Sequence, residues 1–518
     1  MNKLSYIFTR KLTHICNLKP YKDTKWLMPN GNPIGVYIYN CVAEEKVPII
    51  LNDPTIATWY SCGPTVYDSA HIGHASCYVK LDIIQRILKS IFNINLVTAM
   101  GVTDIDDKII KKSHETKTDY RTVAKMYEHE FWMDMSSLNV EKPMIVTRVS
   151  DHIVTISQFI KGLIESGIAY VAKDGSVYFD TSKFPAYGKL QTMQDSGEAS
   201  DIAKKNKMDF ALWKGYKPGE PSWQTEWGEG RPGWHIECSA MVSKIFGSQV
   251  DFHAGGIDLQ FPHHENEEAQ SCAYHNSRQW ANYWVHVGHL NLKETKMSKS
   301  LKNTISISSI LEKYSADTFR MACLMSNYRY SMEYSDEVMF TAEDVLNKLK
   351  FFLKDVEVYA NKKNPEVGDY NNQLLNDLQK VKESNLESLR TDFDTASCIN
   401  SILNLVNNTN KIIKASTSNY YPVPVLLIAE YIMQVLTKFG LKLAESSGNN
   451  VTNTFIDTLV EFRHTVRSNA LVRKDKELLN ACDVVRDKIK SMKIQINDSK
   501  TPSWVKEGKK KVSDCTSA

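Results

Sequence analysis

A short strand that runs into a glycine-containing loop and then directly into an amphipathic helix is the feature that most restricts how this chain can fold. Ile56–Cys62 (IATWYSC) is apolar and rich in β-formers, and Gly63-Pro64 stops it. Beyond a loop to His71, Val79, Ile83, Ile84, Ile87, Leu88 and Ile91 recur at spacings of three and four, which predicts one buried helix face. Asn95–Val102 (NLVTAMGV) reads as a second strand, and Thr103-Asp104 opens another helix with carboxylates suited to its N-terminus. The same grammar returns later, with Val250–His253 as a strand, Ala254-Gly255-Gly256 as a turn, and a helix from His263 onward. Two such units fit one parallel sheet of a Rossmann-like α/β fold.

The 518 residues allow about three domains. Residues 177–230 are rich in turn formers and read as a connective insertion in a catalytic domain of residues 26–295. After Asp336 glycine becomes rare and Val345, Leu346, Leu349, Phe352 and Leu353 recur at helical spacing, which predicts a separate helical domain over 341–518. A net charge of +3 excludes a protein that coats nucleic acid nonspecifically and restricts any such contact to a local patch. The ten cysteines contain no C-x-x-C and suit a reducing compartment. Charges interrupt the most apolar stretch, Val423–Leu443, at Glu430, Lys438 and Lys442, so no membrane span is predicted. Lys3, Arg10, Lys11, Lys19 and Lys22 precede the first acid, Asp23, and residues 1–25 therefore read as a mitochondrial transit peptide directing the chain to the matrix.

Three constellations carry chemistry. His71-Ile72-Gly73-His74 sits where the first loop becomes a helix, so two imidazoles share a face near a positive helix end, and Gly73 leaves room for a phosphate or base against the backbone. Lys296-Met297-Ser298-Lys299-Ser300 lies in a polar segment where paired lysines can neutralise polyphosphate charge. Singly, these read as surface histidines and solvated lysines. Together, in this order, they resemble the paired ATP-binding signatures of the class I aminoacyl-tRNA synthetases. The third constellation is Cys62, Cys238 and the run His263-His264-Glu265-Asn266-Glu267-Glu268. On a helix His263 and Glu267 could close on one metal with two thiolates, and the spacing equally permits His264 with Glu268. The plainer alternative is two buried cysteines and an exposed acidic helix face.

Four stretches in fixed order narrow the resemblance: Tyr60–Asp68 (YSCGPTVYD), His71–His74, Gly233–Met241 (GWHIECSAM) and Phe261–Glu267 (FPHHENE). From about Ala57 to Asn303 the chain resembles the cysteinyl-tRNA synthetases. The resemblance implies one zinc ion held by Cys62, Cys238, His263 and Glu267, and Mg-ATP bound by His71, Gly73, His74, Gly256, Asp258, Lys296 and Lys299. It implies that His71, His74, Lys296 and Lys299 assist adenylate formation and that Thr65, Trp234 and His253 lie beside the substrate L-cysteine. It also implies cysteine tRNA as partner, stem contacts from residues 296–340 and an anticodon-binding role for the helical domain; a monomer is the default expectation. Arg463, Arg467, Arg473, Lys474, Phe462, and Trp504 beside Lys506 offer phosphate contacts and stacking surfaces there. Ser76, Gly101, Ala254, Ile257 and Lys302 depart from the usual family pattern without touching a ligand or signature residue. Two rivals share parts of this pattern. One is a cysteine ligase acting on an amino-sugar amine, against which the long helical domain argues. The other is a noncatalytic tRNA- or zinc-binding paralogue, against which the complete signatures argue.

Overall fold

The computed structural model describes residues 25–191, 203–292, 295–296, 304–361, 371–415, 420–443, 450–492, 494–498 and 503–506. They fall into two compact units. One comprises residues up to Ser69 with Phe92–Met133 and Lys142–His289, and the other Ala70–Ile91, Asp134–Glu141 and Leu290 onward. The segment expected to be a transit peptide lies, apart from Lys25, outside the described residues.

The first unit is built on a parallel sheet. In chain order its strands are β1 (Ile56–Thr65), β2 (Asn95–Thr103), β3 (Ile145–Arg148), β4 (Val250–Gly256) and β5 (Ala281–Val287). Their order in space is β5-β4-β1-β2-β3, with every neighbouring pair parallel. Every residue of β5 is buried, as expected of a strand covered on both faces. The two α/β units share this sheet as expected. β1 and β4 are neighbours, with Trp59, Tyr60 and Ser61 opposite Phe252, His253 and Ala254, so the end of one half stands beside the other. Between β1 and β2 the chain passes through helix α1 (Ile72–Ser90), which belongs to the second unit. Helices α2 (Trp234–Phe246) and α3 (Glu265–His275) precede and follow β4.

Three local expectations are corrected. Ala254, Gly255 and Gly256 form no turn but continue β4, opposite Val285, His286 and Val287, because a parallel neighbour satisfies the backbone that glycine would otherwise leave to solvent. β2 runs through Thr103, and the next helix starts only at Asp107, with Asp106 as its cap accepting the Lys108 N–H at 2.8 Å. Asp104 instead accepts the Ser150 N–H at 2.9 Å. The helix expected from His263 begins regularly at Glu265, after a wider π turn over Gln260–His264 in which Phe261 is extended. Among the described residues of the turn-rich stretch 177–230, Val177–Phe179, Phe210–Gly215, Trp223–Thr225 and Gly228–Pro232 join Ala169–Val171 in an antiparallel sheet.

In the second unit α1 buries Val79, Ile83, Ile84, Ile87 and Leu88, while Ile91 forms its half-buried C-cap. It packs against helix Ala316–Leu324, from which Arg320 reaches Asp82 at 2.6 Å. Six long helices follow, Asp336–Ala360, Asn372–Arg390, Thr395–Ala415, Pro422–Lys438, Asn450–Arg473 and Lys476–Ser491, with a hairpin of Ile494–Asn497 and Ser503–Lys506. The apolar stretch from Val423 packs Val425, Ile428, Ile432 and Leu436 inward, and among the described residues no helix is long and apolar enough to cross a membrane. Two candidate RNA contacts are structural instead. Arg463 is 2% exposed, pairs with Asp498 and donates to the Cys482 carbonyl at 2.7 Å. Trp504 is likewise 2% exposed, donates to Asp457 at 2.6 Å and lies under the Lys354 ammonium. Phe462, Arg473 and Lys474 are exposed.

Candidate metal and substrate site

Four elements bring one cluster of donors together. Cys62 lies near the end of β1, Cys238 in the second turn of α2, His263 in the π turn, and Glu267 in the first turn of α3. Their ligand atoms all lie within 4.8 Å of one another and all four residues are buried. Cys62 Sγ stands 3.9 Å from Cys238 Sγ and 3.4 Å from Glu267 Oε1, and His263 Nε2 is 3.0 Å from the same oxygen. The register left open by the spacing is thereby settled. His264 Nδ1 stands 2.8 Å from His286 Nε2, and Glu268 pairs with Lys189 at 2.7 Å. The acidic run is not an exposed face, since Glu265, Asn266, Glu267 and Glu268 are each at most 2% exposed. A smaller group, Cys62 with His253 and His264, also has its donor atoms within 4.8 Å of one another, but it lacks a carboxylate.

Burial and the close approach of the four donors perturb their charges. Burial raises the Cys62 thiol well above its ordinary range. Its hydrogen bond to Cys238, with help from His263 against burial, holds Cys238 down to about 6. Burial opposes the charge of His263, yet Glu267 and Cys238 lift it to about 10. Glu267 stays ionised despite burial, because His253 and His263 flank it. A divalent ion would take the place of the protons on Cys62 and His263. Two thiolates, one imidazole and one carboxylate suit a borderline-soft dication in tetrahedral geometry, so the residues present fit zinc.

Two further expected residues flank the donors. His253 is fully buried, with Nε2 2.8 Å from Glu267 Oε2. Trp234 stacks on His263 with ring centroids 4.4 Å apart, yet keeps 38% exposure, so it forms an open wall over a closed cluster. Thr65 ends β1 opposite Thr103, whose hydroxyl donates to buried Glu237 at 2.9 Å. Gly256 ends β4 and Asp258 lies in the single turn that follows.

The nucleotide signatures lie in the second unit. His71 caps α1 by accepting the Gly73 N–H at 3.1 Å, and His74 accepts the His71 N–H at 3.2 Å, both through Nδ1. Imidazole thus plays the parts that a hydroxyl and a carboxylate play in the usual capping box. A neutral ring accepting at Nδ1 carries its proton on Nε2. They stack with centroids 3.9 Å apart. The Ile72 N–H donates to the Ile305 carbonyl at 3.0 Å, tying this helix start to the chain that leaves the lysine-rich segment. Lys296 forms with Thr295 a two-residue strand, and Lys299 lies outside the described residues. A Cβ on Gly73 would stand 2.8 Å and 2.9 Å from the His71 ring. Gly73→Ala is therefore expected to push His71 off the cap and slow ATP–pyrophosphate exchange by at least about tenfold with little loss of thermal stability. A rate equal to that of the unmodified chain would remove His71 from the argument.

Residues 50–344 match the family described as tRNA synthetases class I (C) catalytic domain. The chain is 40% identical to a probable mitochondrial cysteine–tRNA ligase of Xenopus tropicalis over 92% of its own length and 91% of that protein's. It belongs to the class I cysteinyl-tRNA synthetases. A cytoplasmic cysteine–tRNA ligase of Dictyostelium discoideum is 37% identical, with 95% of this chain and 80% of that one covered. Relatives therefore include both mitochondrial and cytoplasmic forms. The fold is that of a Mycobacterium tuberculosis methionyl-tRNA synthetase solved with methionyl-adenylate, at 15% identity and a TM-score of 0.56, covering 78% of this chain and 94% of that one.

Within this synthetase, Gly101 has a local cause. A Cβ there would lie 2.1 Å from the hydroxyl of buried Tyr60, which stands beside the two cysteines. Sequence reasoning missed His235, whose Nδ1 is 3.0 Å from His263 Nδ1, and Lys189, the partner of Glu268. His235 lies in the quoted Gly233–Met241 stretch, but spacing says nothing of which way its ring faces. Burial and the neighbouring His263 keep it neutral, fit to accept the His263 Nδ1–H.

Proposed function

We propose that the chain, a monomer of the mitochondrial matrix, activates L-cysteine with Mg-ATP and transfers it from cysteinyl-adenylate to the 3′ end of cysteine tRNA. The observation that carries the reading is the closed set of Cys62, Cys238, His263 and Glu267, whose donor atoms stand within 4.8 Å. Zinc, when bound there, supplies what an apolar pocket cannot: it favours a thiolate over a hydroxyl and lowers a thiol pKa from about 8.5, so serine is rejected without an editing site.

The chain's own residues do the rest. His71 and His74 present Nε2–H groups to the ATP phosphates, and Lys296 and Lys299 neutralise the departing pyrophosphate. The substrate carboxylate attacks the α-phosphate in line, so catalysis is positioning and charge stabilisation without an enzyme nucleophile. Gly256 and Asp258 take the ribose, Trp234 and Thr65 border the cysteine side chain, and His253 orients Glu267. The helical region over 341–518 reads the anticodon and residues 296–340 contact the stem. That long region, aligned in full-length relatives, also disfavours the amino-sugar ligase.

Purified protein lacking the leader, given labelled cysteine and a mitochondrial cysteine tRNA transcript, is expected to charge the tRNA in the presence of excess serine and to carry one zinc per chain. Charging with serine, or full cysteine charging by a zinc-free chain, would refute the role given to the cluster.

A further inference from the structure

The first turn of α3 carries Glu265, Asn266, Glu267 and Glu268, and every side chain except Glu267 is fastened to one short stretch, Tyr187–Leu190. Glu265 accepts the backbone N–H groups of Gly188 and Lys189 on one oxygen, at 2.7 Å and 3.1 Å, and that of Leu190 on the other at 2.7 Å. Tyr187 donates its hydroxyl to Asn266 at 2.6 Å, and the Lys189 ammonium meets Glu268 at 2.7 Å with both side chains at most 4% exposed. Gln260, at the start of the π turn, donates to the Leu190 carbonyl at 2.6 Å. The same ammonium reaches the Arg278 carbonyl at 3.3 Å, and Glu268 also accepts the Ala281 N–H at 3.2 Å, where β5 begins.

We propose that Tyr187–Leu190 is a clamp that sets the metal pocket, with Lys189 as a positioning residue that acts on His263 and Glu267 through Glu268 and α3. The proposal rests on the reading of Cys62, Cys238, His263 and Glu267 as a metal site. Two of its four donors belong to this one helix start, so their distance to the thiolates follows the rotation and height of α3. Apolar packing lets a helix slide or roll by fractions of an ångström, whereas hydrogen bonds of fixed length and direction do not. Glu268 is buried, so its partner is required rather than optional: without Lys189 the carboxylate must find water or move, and the helix moves with it. Burial works against the Lys189 charge, but the neighbouring Glu268 and Glu265 hold its pKa above the ordinary lysine value.

The test uses the full chain loaded with zinc and follows zinc release to a chromophoric chelator, together with the KM for cysteine and kcat in ATP–pyrophosphate exchange. Lys189→Met is expected to release zinc about tenfold faster and to raise the KM about tenfold with kcat within about twofold, the range seen when a metal ligand loses its outer support. Tyr187→Phe removes one hydrogen bond at little risk to folding and is expected to speed release about threefold. Arg148→Met breaks the Glu128 ion pair of the same unit, at 2.6 Å and remote in the chain from α3, and serves as the control for general destabilisation. Release from both Lys189→Met and Tyr187→Phe at the rate of the unmodified chain, or no faster than from Arg148→Met, overturns the clamp. If Lys189→Met is insoluble, Tyr187→Phe decides alone. An unmodified chain that binds no zinc overturns the metal reading, and the clamp with it.

Discussion

Cys238→Ser is expected to strip the metal and raise the KM for cysteine by at least about 100-fold, beyond the 10–100-fold typical of losing an outer partner of a metal ligand. Serine fills nearly the same space, so the fold survives. Its hydroxyl, however, is a far poorer donor to a soft dication than a thiolate. Cys238 is also the thiol that this pocket ionises most readily, at about 6, through its hydrogen bond to Cys62. The loss therefore falls on metal retention and cysteine binding, while ATP binding is spared. Metal content by elemental analysis and exchange kinetics over a wide cysteine range check this. Cys398→Ser, at an equally buried cysteine in the helical region, is expected to leave both values unchanged. A Cys238→Ser protein that keeps its zinc and its KM would sink the ligand assignment.

Arg320→Met is expected to lower stability by about 2–5 kcal/mol, the cost of leaving buried acceptors without their charged donor. The guanidinium is 1% exposed. It donates to Asp82 at 2.6 Å and to the carbonyls of Phe439, Leu138 and Asn139 at 3.2 Å, 3.0 Å and 2.7 Å. Asp82 keeps Arg86 at 2.8 Å and the Asn139 carbonyl keeps the Arg86 N–H at 3.0 Å, but the Phe439 and Leu138 carbonyls lose this donor and methionine offers none. A fall of roughly 10 °C in the melting temperature follows for a unit of this size. Because Asp82 lies on α1, whose first residues are the histidine signature, the loosened helix should also slow activation. Arg86→Met, at the more exposed partner, serves as comparison and is expected to cost less. A shift for Arg320→Met no larger than that for Arg86→Met would show that the buried cation is dispensable.

Periodicity and motif order sufficed for the α/β class, the parallel sheet shared by two halves, the buried face of α1 and the helical C-terminal region. The helix faces rest on interactions within a few residues of chain, where side-chain spacing reports directly on which face is buried, and the sheet follows from the repeated order of strand and helix. Motifs likewise named the donor types of the metal pocket. They misjudged Ala254–Gly256, where local turn preference was overridden by pairing with the neighbouring parallel strand β5, and at Ala254 with β1 as well. They also misjudged Arg463 and Trp504, since a basic or aromatic residue on a helix or hairpin carries no mark of whether it faces RNA or an aspartate.

From the sequence alone one could tell that cysteines, histidines and glutamates meet a nucleotide fold in the order of a cysteinyl-tRNA synthetase. Spacing left open which histidine and which glutamate close on the thiols; the resemblance implied His263 and Glu267, and the tertiary structure supplies the physical reason that these two stand beside the thiols. That choice depends on the wider turn before α3 and on Lys189, which takes Glu268 out of contention from 79 positions away. Spacing along a helix makes His263 with Glu267 and His264 with Glu268 equivalent. Only partners brought from distant parts of the chain break the tie, by giving one pair the metal pocket and the other a lysine and a histidine.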